Sequence, residues 1–296
     1  MSMLTYIEPL YRPPSEAGSL ILQVTIGCSY NRCSFCSMYR SKRYEERSWD
    51  EIKAEIDYAA REYPNTRKVF LADGDALNIK TEYMLNILEH LYRSFPRLER
   101  VSCYAMPKNL LQKGKEELAA LRDAGLKLLY IGIESGSDTV LRKVTKGATS
   151  KGIVDGCLKA KSVGIQLSCM LILGLGGRRY SMEHALESAR VSSIIAPEYL
   201  AALTLLLDDV VKDEFMSKFG EPFEPLSDIE VLDELKMLVE HIEPIDGRKI
   251  IFRANHASNP YPIKAVLPDD RARAIALIDE LKARPDRLKP SYLRRF

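Results

Sequence analysis

Residues Leu20 to Arg40 read LILQVTIGCSYNRCSFCSMYR, a strand that leads directly into a cysteine-rich loop. The first seven residues are mostly apolar and β-branched, which is the composition of a buried strand. Gly27 ends the predicted strand, and the cysteines Cys28, Cys33 and Cys36 follow it with the spacing C-x4-C-x2-C. The stretch therefore predicts a loop with three thiols at the carboxyl end of a strand.

Three cysteines so close together indicate a metal site. A disulfide would need an oxidising compartment, of which the sequence gives no sign. Structural zinc usually takes four protein ligands, often as two C-x2-C pairs, and a second pair is missing. The remaining cysteines, Cys103, Cys157 and Cys169, are isolated in or beside apolar runs and are predicted to be core residues. Three thiolates suit an iron–sulfur cluster with one iron left open, with zinc or unbound thiols as the alternatives.

The composition is that of a globular protein with no strong preference for a charged partner. The chain has 296 residues, of which 46% are hydrophobic and 28% charged, and its net charge is +2. This length suits one large α/β domain, alone or with an appendage. We find no apolar run that could span a bilayer and no signal peptide at the N-terminus, so we expect no membrane partner and a cytoplasmic location.

Strand-like runs alternate with helical segments six times. The predicted strands cover residues 20–26, 68–72, 100–106, 126–133, 165–173 and 199–207. Such alternation is typical of parallel βα units, whose strands are covered on both faces. Right-handed crossovers curl these units toward a barrel, and six units are fewer than the eight of a full barrel. We predict an α/β fold, a partial (β/α)6 TIM-like barrel, with its chemistry at the carboxyl ends of the strands.

The predicted barrel occupies residues 19–210. Residues 1–18 are rich in proline and are expected to form a strap on the core. Residues 211–296 are expected to form a mixed α+β extension on the substrate side. In this extension we predict helices at 228–242 and 269–283, a short strand at 249–252, a loop over 253–268, and a poorly ordered basic tail.

The cysteine loop resembles that of the radical S-adenosylmethionine (SAM) superfamily. The usual family loop is C-x3-C-x2-C with an aromatic residue before the last cysteine, and Phe35 fills that place. The first gap here has four residues instead of three. The resemblance implies one [4Fe–4S] cluster on Cys28, Cys33 and Cys36, whose fourth iron binds the amino and carboxylate groups of SAM. It also implies a partial barrel and an oxygen-sensitive enzyme that cleaves SAM to a 5′-deoxyadenosyl radical.

The resemblance assigns further residues at strand ends to SAM. Asp73-Gly74-Asp75 follows the second strand, where the family has a turn whose carbonyls bind the methionine ammonium group. Gly74 permits a close approach of the backbone to a ligand, although an acidic turn is also ordinary strand–helix punctuation. Glu134 and Ser135 end the fourth strand at the family's ribose-binding position. The alternative for these two residues is a helix-capping cluster.

Two more matches to the family concern the carboxylate and the adenine of SAM. Lys146 lies twelve residues after Glu134, where some relatives place a basic residue against the SAM carboxylate; a solvated lysine is the alternative. Ile172, Leu173 and Gly174 match the region where the fifth strand packs on adenine. The same pattern is expected of plain strand core.

Asn255 to Asn259 is the most suggestive segment outside the predicted barrel. It reads NHASN and follows the short C-terminal strand. Neutral donors and acceptors suit a polar substrate, and His256 is our candidate catalytic acid or base. The alternative is a turn cluster that satisfies its own backbone, with His256 as a packed structural residue.

The function predicted from the sequence is a compact, single-cluster radical SAM enzyme. It resembles the broad class of the elongator catalytic subunit, methylthiotransferases and nitrogenase-cofactor assembly proteins, without matching a specific member. We expect hydrogen abstraction from a small metabolite, with a reducing partner such as flavodoxin or ferredoxin. Modification of RNA is an alternative, because Lys289, Arg294 and Arg295 belong to a basic tail. A non-catalytic iron–sulfur or zinc-binding interaction protein is the other alternative.

Overall fold

The computed structural model describes residues 4–294. Its strands, in chain order, are β1 (Leu20–Gln23), β2 (Thr25–Ile26), β3 (Glu45–Glu46), β4 (Lys68–Ala72), β5 (Arg100–Ala105), β6 (Leu126–Glu134), β7 (Gln166–Leu173), β8 (Tyr199–Thr204), β9 (Ile250–Ala254) and β10 (Ile263–Leu267). Its helices are α1 (Trp49–Glu62), α2 (Thr81–Ser94), α3 (Pro107–Gln112), α4 (Lys115–Asp123), α5 (Asp138–Lys143), α6 (Ser150–Ser162), α7 (Gly177–Ile195), α8 (Lys212–Phe219), α9 (Asp228–His241) and α10 (Arg271–Ala283). The predicted strand–helix alternation is therefore present.

Capping residues explain why two of the helices begin where they do. The Ser48 hydroxyl accepts a hydrogen bond from Glu51 N, and Ser48 N donates to the Glu51 carboxylate at 3.1 Å. Ser227 and Glu230 form the same reciprocal arrangement at the start of α9. Each pair accepts hydrogen bonds from backbone N–H groups that have no partner within the first helical turn. Both helix starts are therefore specified by nearby residues.

The described residues divide into two compact units. The first comprises residues 4–31, 36–131 and 155–167, and the second comprises 32–35, 132–154 and 168–294. Strands β6 and β7 contribute residues to both units. The predicted domain boundaries at residues 18 and 210 stay predictions.

In the first unit, β1, β4, β5 and the first part of β6 run parallel in that spatial order. Val69, Phe70 and Leu71 of β4 are fully buried, as expected of a strand covered on both faces. The short strands β2 and β3 pair antiparallel with each other. The carboxyl ends of β4 and β5 thus lie at one edge of the sheet, which is where ligands bind in such folds.

Glu16, in the segment predicted to form a strap, is completely buried in the first unit. Its carboxylate accepts hydrogen bonds from Arg100 Nη2 at 2.6 Å, Ser102 Oγ at 3.0 Å and Tyr130 Oη at 2.7 Å. A buried carboxylate is tolerated only when it is paired and hydrogen-bonded. This network therefore attaches the N-terminal segment to strands β5 and β6.

In the second unit, β7, β8 and β9 are parallel neighbours, and β10 is antiparallel to β9. The prediction of a loop over 253–268 is wrong at its end, since Ile263–Leu267 forms β10. Alternate residues of this segment are buried, but its strand character depends on pairing with β9. A five-residue run does not reveal that partner by itself.

The basic tail is more ordered than predicted. Short 3-10 turns cover Pro285–Arg287 and Ser291–Leu293. Arg294 is 8% exposed, and its Nη1 donates to Asp228 Oδ1 at 2.7 Å, at the first residue of α9. An ion pair to another element orders this segment, which local composition could not indicate. Arg295 lies outside the described residues.

Candidate functional site

The Asp73 side chain attaches the start of the cysteine loop to the end of β4. Asp73 is fully buried, and its Oδ2 accepts hydrogen bonds from Gly27 N at 3.0 Å, Lys42 Nζ at 2.7 Å and Gln23 Nε2 at 3.0 Å. Burial raises the pKa of Asp73, against the opposing effect of the Lys42 ammonium group. Gly27 has a φ of +72°, a conformation that favours glycine. The side chain of Asp73 therefore shapes the loop.

Gly74 leaves room for the ring of Tyr39. A Cβ atom on Gly74 would lie 2.8 Å from Tyr39 Cδ2, so no larger residue fits without displacing the ring. Tyr39 is 5% exposed, and its hydroxyl has no hydrogen-bond partner among residues 4–294. Burial is the main cause of the strongly raised pKa of this hydroxyl, and further contributions come from Tyr104, Asp73, Cys36 and Cys28.

The same edge of the first unit brings the first cysteine and its neighbour Ser29 close to residues that follow two other strands, β4 and β5. Cys28 Sγ lies 4.0 Å from Met106 Sδ, just after β5. Ser29 Oγ donates to the Asp75 carboxylate and accepts from Lys108 Nζ at 2.7 Å. Lys108 Nζ is 4.0 Å from Asp75 Oδ2. The predicted Asp73-Gly74-Asp75 turn therefore borders the residues around Cys28.

The six cysteines fall into two groups by burial. The loop cysteines Cys28, Cys33 and Cys36 are half-buried, whereas the other three are buried as predicted. Burial raises the pKa of Cys103, which disfavours its thiolate, whereas partial exposure leaves the loop thiols accessible for metal binding. Within residues 4–294 no group of three or more His, Cys, Asp and Glu side chains is arranged around a single metal ion. Cysteines that ligate different irons of one cluster need not surround a single point, so the three loop cysteines still fit a cluster.

In the second unit, Glu134 and Lys146 form a buried ion pair. Lys146 Nζ donates to Glu134 Oε1 at 2.9 Å, and the lysine and the glutamate are 6% and 9% exposed, respectively. Glu134 ends β6 with a φ of +59°, which is uncommon outside glycine. A Cβ atom on Gly132 would overlap Glu134 Oε1. Gly132 therefore provides the space for this pair, and the sequence analysis did not identify that role.

A buried histidine and glutamate, both missed from the sequence, hold the neighbouring strand ends. His184 Nδ1 lies 2.8 Å from Ser135 Oγ, and His184 Nε2 lies 3.0 Å from Ile172 O. Because a carbonyl only accepts, Nε2 carries a proton and donates it to Ile172 O. Glu234 Oε1 accepts from Gly174 N at 2.6 Å. The two residues are on α7 and α9, far from their partners in sequence, so only folding reveals them.

The predicted adenine-side residues differ in burial. Ile172 is half-buried, whereas Leu173 and Gly174 are buried. Phe35, from the cysteine loop, packs with Ile172 against a core cluster made of Val140, Val144, Leu175, Phe215 and Phe219. In the second unit, Phe35 thus has an anchoring contact in addition to its predicted cofactor role.

Residues 255–259 lie against the end of β8. Thr204 N donates to Ser258 Oγ at 3.1 Å, and Thr204 Oγ1 donates to Asn259 Oδ1 at 2.8 Å. Asn259 Nδ2 donates to Ala202 O at 2.8 Å. Ser258 and Asn259 therefore hold the loop that carries His256 at the carboxyl ends of β8 and β9.

The hydrogen bonds of His256 define its tautomer. Its Nδ1 accepts from Ser258 N at 3.2 Å and lies 2.9 Å from Ser258 Oγ. Burial, together with the positive charge of Lys289, lowers the pKa of His256. Its Nε2 has no hydrogen-bond partner in the part of the chain that the structure describes, and it is not a buried atom. The ring is therefore held neutral with an accessible N–H donor at Nε2.

The predicted site residues are thus distributed over the two units, and their individual roles stay predictions. The first unit contains Cys28, Cys36, Asp73, Gly74 and Asp75. The second unit contains Cys33, Phe35, Glu134, Ser135, Lys146, Ile172, Leu173, Gly174 and His256. Among residues 4–294, every helix is too short or too polar to cross a bilayer.

Comparison with known proteins identifies the same family that the cysteine loop resembles. The model of the Radical SAM superfamily matches residues 22–189. The chain is 25% identical over 239 residues to 4'-phospho-dehydrooxetanocin synthase from Priestia megaterium, covering 69% of this chain and 31% of that protein. It spans between 31% and 38% of the length of the first four curated relatives that it matches.

Two solved structures share the fold. Methylornithine synthase superposes with a TM-score of 0.53 at 17% identity, covering 78% of this chain and 63% of that chain. The radical SAM methyltransferase TsrM from Kitasatospora setae, solved with cobalamin and a [4Fe–4S] cluster bound, gives a TM-score of 0.52 at 18% identity, covering 68% and 41%. These likenesses and the parallel strands confirm the prediction of a partial TIM-like barrel fold.

The family match also confirms the predicted cofactors and the enzyme class. Radical SAM proteins are enzymes that use a [4Fe–4S] cluster and SAM, and they cleave SAM by radical chemistry. The match covers more than half of the chain, including all three loop cysteines, Glu134 and Lys146. The chain belongs to the radical SAM superfamily.

Proposed function

We propose that this protein abstracts a hydrogen atom from a small polar metabolite. The observation that carries the proposal is the family match over residues 22–189, which includes the half-buried cysteine loop. When bound, the cluster supplies the electron that cleaves SAM to methionine and the 5′-deoxyadenosyl radical that takes the hydrogen. The residues of this chain hold the cluster and orient SAM and the substrate.

Cys28, Cys33 and Cys36 would hold the cluster. Thiolates are the protein ligands that iron–sulfur clusters take, and three of them leave one iron open. The loop starts at Gly27, whose N–H donates to the buried Asp73 carboxylate at 3.0 Å. This bond fixes the direction in which the chain enters the loop.

The strand-end residues would bind SAM. Three donors hold Asp73 Oδ2 against the start of the cysteine loop, so in the turn that follows β4 we assign the methionine ammonium to backbone carbonyls near Gly74. Glu134 would accept hydrogen bonds from the ribose hydroxyls, and Lys146 would face the SAM carboxylate. Because Glu134 and Lys146 are already paired and buried, little ordering is needed when SAM binds.

His256 would face the substrate. Its Nδ1 is used by Ser258, so the group left for a ligand is the Nε2–H donor. This donor suits a carbonyl, carboxylate or phosphate oxygen, and the positive charge of Lys289 favours an anionic group. The location supports the assignment, because 255–259 lie at the carboxyl ends of β8 and β9.

A small substrate is favoured over RNA by the state of the basic tail. Arg294 is buried against Asp228, and Lys289 Nζ donates to Ala257 O at 3.2 Å. Side chains engaged in this way contribute less to phosphate binding than a solvated basic run would. The proposal also includes a reducing partner such as flavodoxin or ferredoxin. We propose a cytoplasmic location, since a reduced cluster and free thiols persist in reducing compartments.

The test is SAM cleavage by anaerobically reconstituted protein. Wild type, Cys28→Ala and Cys157→Ala are incubated with dithionite and SAM, and 5′-deoxyadenosine is measured by mass spectrometry. Cys157 is a fully buried core residue, so its variant controls for loss of a thiol as such. We expect nucleoside from the wild type and Cys157→Ala only.

The same assay tests the substrate class. The small-molecule fraction and the RNA fraction of one deproteinised cell extract are added separately. Stimulation of nucleoside formation by the small-molecule fraction supports the proposal, and stimulation by RNA alone overturns it. A full cluster that binds SAM without cleaving it in either fraction would contradict the enzymatic proposal and favour an electron or cluster carrier.

A further inference from the structure

The Tyr39 hydroxyl is a buried donor that has no acceptor in residues 4–294. The residue is 5% exposed, and its oxygen is inaccessible to water. A buried polar group without a partner destabilises the folded state, and such groups are rare in native proteins. The hydroxyl is therefore expected to bond to a group outside the described residues, and a bound cofactor is one such group.

The ring that carries this hydroxyl is held in place by three contacts. One is Gly74, where a Cβ atom would lie 2.9 Å from Tyr39 Cζ. The second is an edge-to-face contact with Tyr11, at 5.6 Å between centroids and an interplanar angle of 80°. The third is Lys42 Nζ, 5.8 Å from the ring centroid. A ring fixed in this way cannot turn its hydroxyl to another acceptor, which limits where the partner can be.

The surroundings of the hydroxyl point to the cysteine loop. Gly74, against which the Tyr39 ring lies, donates its N–H to Gly27 O at 3.1 Å, directly before Cys28. Cys36 precedes Tyr39 by three residues. Burial, together with charges that include those of Cys36 and Cys28, raises the pKa of Tyr39. Asp73 Oδ1 is also buried without a hydrogen-bond partner in residues 4–294, so Tyr39 and Asp73 do not satisfy each other. At its ordinary pKa of about 10 a tyrosine keeps its proton and can donate it.

We propose that the Tyr39 hydroxyl donates a hydrogen bond to a sulfur of the cluster held by Cys28 and Cys36, and thereby raises the reduction potential of the cluster. The inference rests on the proposed role of the loop cysteines. Reduction adds negative charge to the cluster, and a donor stabilises the more negative state, which is how hydrogen bonds to sulfur tune such potentials. Tyr39 is on this view a positioning and tuning residue.

The test is the potential of the SAM-free cluster in Tyr39→Phe. Iron and sulfide content are measured first, and the potential is then determined by a redox titration followed by electron paramagnetic resonance. Tyr11→Phe is the matched control, since it removes a hydroxyl from the ring packed on Tyr39. We expect Tyr39→Phe to load its cluster and to have a lower potential than both wild type and Tyr11→Phe. An unchanged potential in a fully loaded Tyr39→Phe protein overturns the inference.

A second measurement applies if Tyr39→Phe does not load a cluster. Electron–nuclear double resonance is recorded on the reduced wild-type cluster, in protein whose tyrosines carry a magnetic oxygen isotope at the hydroxyl. The phenol oxygen does not exchange with water, so the label stays on tyrosine. We expect a coupling between this oxygen and the cluster, and its absence overturns the inference. Failure of the proposed function would give a different result. If the loop cysteines did not hold the cluster, Cys28→Ala would bind a full cluster with the wild-type spectrum.

Discussion

Replacing Lys146 by methionine would leave the Glu134 carboxylate buried without its cation. Methionine keeps most of the side-chain volume, so the change removes the charge more than the packing. Lys236→Met is the matched control, because Lys236 forms an ion pair with Asp279 at 2.8 Å in which the side chains are 27% and 48% exposed. Comparing the stability losses of the two variants shows how much more a buried ion pair contributes than an exposed ion pair in the same unit.

The expected cost follows from the geometry of the buried pair. At 2.9 Å, Coulomb's law with an effective dielectric constant of about 20 gives an attraction of roughly 6 kcal/mol. Desolvation of the two charges cancels much of this attraction. Removal of one partner from a buried pair typically costs about 3–5 kcal/mol, which we expect for Lys146→Met. The exposed pair should contribute less than about 1 kcal/mol.

The assay is a double-mutant cycle with Glu134→Gln, on cluster-free protein unfolded in urea and followed by circular dichroism. Side chains in direct contact have coupling free energies of about 0.5–3 kcal/mol, and we expect a value above about 1 kcal/mol for Glu134 and Lys146. The double variant should therefore be more stable than the sum of the single changes predicts. A coupling free energy below about 0.5 kcal/mol, or equal losses in Lys146→Met and Lys236→Met, would refute the reasoning.

Four further predictions concern Gly132, His256, Ser258 and Glu16. Gly132→Ala should lower the free energy of unfolding by about 1–3 kcal/mol, because the added Cβ would displace the Glu134 carboxylate. If urea unfolding shows an equal loss in a Glu134→Ala background, the loss does not come from the Glu134 carboxylate. The pKa of His256 is lowered in the folded state, so its contribution to stability is present above pH ~6.5 and is lost as the pH falls through the folded-state pKa. Ser258→Ala should raise that pKa by removing a donor to the neutral ring, and a histidine titration by nuclear magnetic resonance that shows no rise would contradict the assigned tautomer. Glu16→Ala removes the acceptor that one arginine and three hydroxyl donors share, and it should cost about 3 kcal/mol or more of unfolding free energy. A loss under about 1 kcal/mol would argue against the buried network.

The sequence predicted those parts of the fold whose cause is local. The capping residue Ser48 is an example, because its partner Glu51 is three residues away and this pair specifies where the helix begins. Strand β10 was missed because its hydrogen-bond partner is β9, which the segment Ile263–Leu267 cannot specify by itself. Arg294 was assigned to a poorly ordered tail for the same reason, since its partner Asp228 is 66 residues away.

Within the candidate site, local features could again be predicted from the sequence, whereas contacts between distant residues could not. Cys28, Cys33 and Cys36 could be found from their spacing, because a cluster loop needs its thiols on one short segment. Glu134 and Lys146 were found only through resemblance to a family, and their direct contact was not foreseen. His184 and Glu234 were missed, since a histidine or glutamate on a helix has no distinguishing pattern until its partner is known.

By itself, the sequence of this protein determined the alternation of strands and helices, the starts of α1 and α9, and the position of the three thiols. These depend on side-chain periodicity and on contacts within a few residues. Only the tertiary structure decided that Lys146 pairs with Glu134, that Ser258 sets the tautomer of His256, and that the Tyr39 hydroxyl is buried without a partner in the described chain. The physical reason is that burial removes water as an alternative partner. Each buried polar atom must then find a specific group, and that group comes from a distant part of the chain or from a bound cofactor.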